Sequence, residues 1–396
     1  MLRRLRLFLQ NIKMKTMKRY LILMAAAALV TACSNDADEV ESGYVPSDKA
    51  IAFEASTEGG LATRASGEVN TNEALQAASF GVFGSYTGRL TYENTTVSSD
   101  FMYNQQVTYT SDGNYWSYSP VKYWPNDSRD YVSFFAYAPY VANPQQNTEG
   151  IIDMSKRYDL GDPWVNYRIA ADPWSAENPQ VDLLYGQHVT DDNACSPWLD
   201  QQKPADPISS KTTFTFRHAL ACIGDEITIK CSDELASLIE GYATINITQV
   251  QIDYKNLTTK GRLVLKSNEG EANWKEIISG EITTTRTYIK DGLNITFPSD
   301  ATEPTEISSG DGLFYIPLCV SGMDKATAEV TITYTVTNNG GGSYTGTSST
   351  SFELDLNMEG KKQGIALQLT KTLDLQHLVY TIEDGATEPS YSSRKR

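Results

Sequence analysis

Histidines are the side chains best suited to proton or metal chemistry near neutral pH, and in this chain of 396 residues they stand far apart, at His188, His218 and His377. None has a second ligand-type residue at metal-binding spacing. His218 shares the phase of Phe214, Phe216 and Leu220, the pattern of a core or sheet-edge histidine rather than a ligand. After Cys33 the thiols are Cys195, Cys222, Cys231 and Cys319, with no C-x-x-C to make a zinc ribbon or a thioredoxin-like site. Cys222 and Cys231 could bridge in an oxidising compartment or remain buried thiols, and spacing leaves both open. There is no G-x-S-x-G elbow, P-loop or dinucleotide fingerprint, and the many carboxylates single out no pair. The expectation is a protein that is not an enzyme and uses no metal or cofactor. An aromatic block, Tyr115, Trp116, Tyr118, Tyr123 and Trp124, offers rings that would stack on sugars if exposed and fill a core if buried.

Cys33 has a more readable chemistry. Lys15, Lys18 and Arg19 form a basic region, residues 20–30 an apolar stretch of signal-peptide length, and Val30-Thr31-Ala32-Cys33 brings small residues up to a cysteine. This resembles a lipobox, in which the chain is cut before a cysteine that becomes acylated. Residues 1–32 are thus expected to be a lipoprotein signal, with Met14 or Met17 as candidate starts. Ser34 after the cysteine fits outer-membrane sorting, and Asp36, Asp38, Glu39 and Glu41 make an acidic tether. Several acyl chains on one residue anchor a protein stably without a spanning helix. No later stretch is apolar enough to cross a membrane as a helix.

The body is strongly acidic. The formal charge is −16, and residues 1–32 hold seven basic residues and no acids, so the remainder carries 26 − 49 = −23. That excludes nucleic acid as a partner on charge grounds.

The elements that would position these groups are strands. Residues 131–136 are apolar in both phases, as in a strand buried on both faces. Val330 to Val336 reads V-T-I-T-Y-T-V, a period of two with threonine outward. Between Ile247 and Val250 the phase slips by one, the signature of a β-bulge. Helical spacing is confined to 72–78 and to Leu235, Leu238 and Ile239 behind a Ser232 cap. The proline-rich stretch 196–211 disfavours a central strand and sets an expected boundary near 208, with one sandwich over 65–208 and another over 209–396.

Three passages together resemble the fimbrillin family of Bacteroidetes, including the Mfa-like fimbrillins of type V pili. One is Trp116-Ser-Tyr-Ser-Pro-Val-Lys-Tyr-Trp-Pro125 running into Val132-Ser-Phe-Phe-Ala-Tyr-Ala-Pro139. Another is Asp182-Leu-Leu-Tyr-Gly186 followed by Phe214-Thr-Phe-Arg-His-Ala-Leu-Ala221. The last is Ile51-Ala-Phe53 and then Thr63-Arg64-Ala65, shortly after the lipobox. The resemblance implies an all-β chain of two tandem transthyretin-like antiparallel β-sandwich domains. It also implies a lipoprotein precursor whose residues 33–64 form a tether and propeptide, cut by an Arg-specific protease between Arg64 and Ala65, and assembly with other fimbrial subunits by strand exchange. A host protein or glycan ligand would fit the same reading.

The residues allow that mechanism on physical grounds. Ile51 and Phe53 sit on a short half-apolar strand joined to the body by a Gly-rich, protease-accessible segment. Cutting it away would leave an apolar groove and an unpaired edge that a strand from the next subunit could fill. Two C-terminal segments alternate suitably, one with Ile365, Leu367 and Leu369, the other with Leu378, Tyr380 and Ile382. The other function kept open is a surface glycan-binding lipoprotein of a polysaccharide-uptake system, decided by the exposure of Trp116 and Trp124. Nothing accounts for the basic tail Arg394-Lys395-Arg396.

Overall fold

The computed structural model describes residues 49–57, 69, 71–176, 179–189, 195–268, 271–277, 281–298, 303–356, 362–371 and 378–385. Along the first half run β1 (Phe53–Thr57), α1 (Asn72–Ala78), β2 (Phe80–Gly88), β3 (Met102–Thr110), β4 (Tyr115–Ser117), β5 (Tyr131–Ala138), β6 (Gly150–Met154), β7 (Trp164–Arg168), β8 (Leu184–Val189), β9 (Cys195–Ser196) and β10 (Trp198–Gln201). The second half continues with β11 (Thr212–His218), β12 (Ala221–Cys231), α2 (Asp233–Ile239), β13 (Ala243–Thr258), β14 (Lys260–Asn268), β15 (Glu271–Glu276), β16 (Thr283–Phe297) and β17 (Thr305–Ser309). It ends with β18 (Leu313–Tyr315), β19 (Thr327–Asn338), β20 (Ser343–Glu353), β21 (Lys362–Lys371) and β22 (Leu378–Gly385).

Among the described residues the strands form four sheets. The first has the order β1-β11-β8-β5-β2-β3-β4, with β9 on β8 and β10 on β5. A second, β15-β14-β7-β6, packs Val165, Tyr167 and Leu263 into one core with Phe83, Phe135 and Tyr137 of the first sheet. The other face of the first sheet has its own core of Phe80, Val82, Phe134, Phe214, Phe216, Trp116, Trp124 and Leu75 of α1. This explains β5: Phe134 and Phe135 point to opposite faces, and both faces are covered. The remaining sheets, β17-β12-β21-β22 and β16-β13-β19-β20, enclose Ile227, Ile229, Val250, Ile252, Val330, Ile332 and Leu367.

Local signals translate directly. Ser232 caps α2 by accepting from the Leu235 N–H, and Thr71 caps α1 through Ala74. The phase slip in β13 is a register shift between Ile247 and Gln249 against both neighbouring strands. Gly186 lets β8 approach its neighbours: a Cβ there would stand 2.9 Å from Ala136 Cβ and from Phe214 Cδ1.

Other findings depart from the expectation. The sandwiches are not wholly antiparallel, since β1 pairs parallel with β11 and β12 parallel with β21. The polar stretch around 208 joins two strands of the same sheet: β10 lies on β5, β11 joins β8, and β14 joins β7 across the expected boundary. Prolines there end a short strand rather than a sheet. Cys222 and Cys231 stand as thiols, both buried on β12. Nine residues of extended chain separate them by about 30 Å, far beyond disulfide reach. Burial pushes the Cys231 thiol up to about 11.

Candidate functional site

The described chain starts at Lys49, and its first nine residues bind two different partners. Residues 49–51 run against 122–124: Ile51 N–H donates to Lys122 O at 2.9 Å, Trp124 N–H to Lys49 O at 2.8 Å, and Ala50 bridges Tyr123. The chain then turns onto the opposite end of the same sheet, with Thr212 N–H donating to Ala52 O at 2.9 Å and Phe53 to Thr57 lying in register with Thr212 to Phe216. The 122–124 segment follows β4, the last strand of the sheet, and β11 neighbours its first. Residues 49–57 are therefore a seam that covers the outer edge of β11 and ties it to the segment following β4.

The seam is apolar on its inner side. Ile51 is wholly buried and Phe53 is 2% exposed, whereas Glu54 is exposed and pairs with Lys211 at 3.3 Å. Phe53 packs on four aromatic rings, Phe80, Tyr118, Phe134 and Phe214, with centroids 5.4 to 6.5 Å away. Tyr118 holds the backbone as well: its hydroxyl donates to Ile51 O at 2.8 Å and accepts from Lys122 N–H at 3.2 Å. The aromatic block is thus largely the wall of the seam. Trp116 and Trp124 are each 7% exposed, in the same core as Ile51 and Phe53, and Tyr123 alone of the five is fully on the surface.

Beyond the seam the described chain resumes at Val69, itself buried. The Val69 N–H donates to Asp182 Oδ2 at 3.1 Å, and the same oxygen lies 2.8 Å from His218 Nδ1. The Asp182 side chain is 1% exposed, so these bonds satisfy a buried carboxylate, and His218 is its partner rather than a metal ligand. Asp182 and His218 thereby hold the chain at Val69.

Cys33, Arg64 and Ala65 lie outside the described residues. The C-terminal candidates separate by position. Ile365, Leu367 and Leu369 are buried on β21, which is flanked by β12 and β22. Leu378, Tyr380 and Ile382 lie on β22, the end strand of its sheet, paired antiparallel with β21. Sequence reasoning named the seam's buried residues but missed Tyr118 and Lys122 as their holders, and Asp182 with His218 as the holders of Val69. The aromatic block lay in view, but pairing between 50 and 123 leaves no local trace. Among the described residues no helix is long and apolar enough to cross a membrane, and no group of three or more His, Cys, Asp or Glu is placed to hold a metal.

An almost all-β chain built from tandem sandwiches, the β11 edge of its first sheet covered by its own N-terminal segment, defines a class of β-sandwich subunit. The chain belongs to the fimbrillin-like family, whose model matches residues 63–384. It is 24% identical over 388 residues to the fimbrium subunit Fim1C of Phocaeicola vulgatus, across 92% of this chain and 94% of that protein. The crystal structure of a fimbrial protein from Bacteroides vulgatus shares the fold, with a TM-score of 0.61 at 22% identity over 85% of this chain and 98% of that one.

Proposed function

We propose that the chain is a structural subunit, stalk or tip, of a surface fimbria. It is exported as a lipoprotein anchored at the outer membrane through Cys33, cut after Arg64, and assembled with other fimbrial subunits by strand exchange in support of adhesion. The observation that carries this reading is the seam. Two large side chains, Ile51 and Phe53, fill a slot between β11 and the segment following β4, and the segment bearing them lies upstream of the proposed cut. Their burial contributes about 1.5–3 kcal/mol each, enough to seal the precursor and small enough for an incoming strand to compete once the covalent link is gone. Loss of residues 49–57 would free the outer edge of β11 and open an apolar slot together, and head-to-tail filling of such slots does not close, so it builds filaments.

The donor is β22. Removing β21 would tear Ile365, Leu367 and Leu369 from the core and strip β12 of its parallel partner. β22 pairs only with β21 among the described residues, so it leaves at smaller cost. The burial of Trp116 and Trp124 removes the flat aromatic platform that a polysaccharide-uptake role for that block requires. Treating the purified chain with an Arg-specific protease tests the proposal. Wild type should give a new N-terminus at Ala65 and ladders that resist mild denaturant, and Arg64→Ala should give neither. Ladders from uncut Arg64→Ala protein would overturn it.

A further inference from the structure

The outward face of the sheet β15-β14-β7-β6 reverses the charge of the molecule. Its inward phase is Val165, Tyr167, Leu263, Leu265 and Trp274, all in the core. The outward phase is Trp164, Asn166 and Arg168 on β7, Lys260, Arg262, Val264 and Lys266 on β14, and Asn273 and Lys275 on β15. Five of these nine residues are cationic; the same phase also carries Asp153 of β6, opposite Asn166, and Glu271 of β15, so the face keeps a net positive charge on a chain with 49 acids and 33 bases. Register brings the cations together: Lys260 stands opposite Arg168, and Arg262 lies between Asn166 and Lys275. Same-face neighbours across strands are about 5 Å apart and those along a strand about 7 Å, so the charges form a continuous field.

The face is also pre-organised. The Arg262 guanidinium lies 3.7 Å from the centre of the Trp164 ring and its Nε donates to Asn166 Oδ1 at 3.1 Å, which fixes the fork in place. Arg168 has a buried Nε with no hydrogen-bond partner among the described residues. No carboxylate among them pairs with Arg168, Arg262 or Lys275; Lys266 is paired with Glu93. The nearby acids are Glu149 beside β6, Asp153 within it, where it accepts from Gln145 Nε2, and Glu271 and Glu276 at the ends of β15. Glu149 is also engaged, by the Ala171 N–H, and Glu276 by the Ser321 N–H.

We propose that this face binds a linear anionic polysaccharide through carboxylate or sulfate groups spaced along its chain. Guanidinium forks and ammonium groups suit those anions. A folded protein partner fits less well, because a stable protein interface has an apolar core depleted of charge, and here only Val264 and Trp164 are apolar. A nucleic acid would meet the net negative charge of the rest of the molecule. The site is independent of the seam and stands whether or not strand exchange assembles the subunit.

The test is binding of labelled chondroitin sulfate and of polygalacturonate to the full chain in detergent, with dextran of matched length as the neutral control. The two acidic chains separate sulfate from carboxylate recognition, and tight binding of either supports the site. Affinity should fall tenfold or more for Lys260→Glu/Lys275→Glu, and for Lys275→Glu alone several-fold with an unchanged melting temperature. It should also weaken steeply with salt. The proposal is overturned if neither acidic chain binds, if dextran binds equally, if the reversals leave affinity unchanged, or if a DNA oligonucleotide binds more tightly than both. Self-association of the wild type that the reversals abolish would assign the face to a second copy and overturn it as well.

Discussion

Phe53 on β1 and Phe214 on β11 lie with ring centroids 6.1 Å apart and planes 23° from parallel, two aromatics from parallel strands far apart in the chain, stacked in one core. The contact ties the N-terminal segment to the strand it would have to leave. Phe53→Ala in the uncut precursor removes that ring from four others. A buried Phe→Ala change costs about 3–5 kcal/mol, but the segment can detach, so the loss is bounded by the seam's own docking energy of about 3–6 kcal/mol. The expected outcome is local: fast hydrogen exchange at residues 49–57, with β5 still protected. Equal loss of protection in β5 would mean that the seam does not open as a unit.

Trp124 is buried with its indole N–H unpartnered among the described residues. Trp124→Ala should cost about 3–5 kcal/mol in urea unfolding. Trp124→Phe should cost much less, because it also removes a buried donor whose desolvation is worth about 1–3 kcal/mol. Trp116→Ala should resemble Trp124→Ala. A variant of either tryptophan that keeps full stability while losing affinity for a neutral sugar would return the aromatic block to glycan binding.

The His188 ring lies 3.7 Å from the Trp198 ring, and burial lowers its pKa below the ordinary 6.5. The unfolded chain therefore takes up the proton first. The contribution of His188 to stability is full above about pH 6.5 and is lost as pH falls through the lower folded value. Asp127 does not confuse that window: hydrogen bonds from Arg129 and then Arg89 hold its carboxyl well below the usual range, so its contribution persists to lower pH. The chain should lose stability between neutral pH and pH 5, and His188→Gln should flatten that slope. An unchanged slope in the variant would assign the loss to other groups.

What could be read from the sequence followed the range of the interactions. Period-two runs such as Val330 to Val336, the bulge near Ile247 and the Ser232 cap depend on neighbours within a few residues, and each appears in the fold. Ile51 and Phe53 as inward residues were legible for the same reason. Pairing partners were not. Nothing in residues 53–57 specifies a parallel ladder with 212–216, and nothing in the aromatic block shows that Tyr118 and Lys122 grip residue 51. The stretch around 208 misled because proline marks the end of a strand as readily as the end of a domain.

The central claim is that departure of residues 49–57 opens the assembly site, and a reversible staple across the seam tests it most directly. Ala50 and Tyr123 are β-bridge partners, a Cα separation that a disulfide can span. The staple is Ala50→Cys with Tyr123→Cys in a Cys319→Ser background, since Cys319 is exposed. The protein is cut with an Arg-specific protease and its oligomers are followed by size-exclusion chromatography and by gels run without boiling. Oxidised, the cut protein should keep its N-terminal segment and remain monomeric; reduced, it should release the segment and form ladders. Ladders of equal extent in the oxidised and reduced samples would contradict the account.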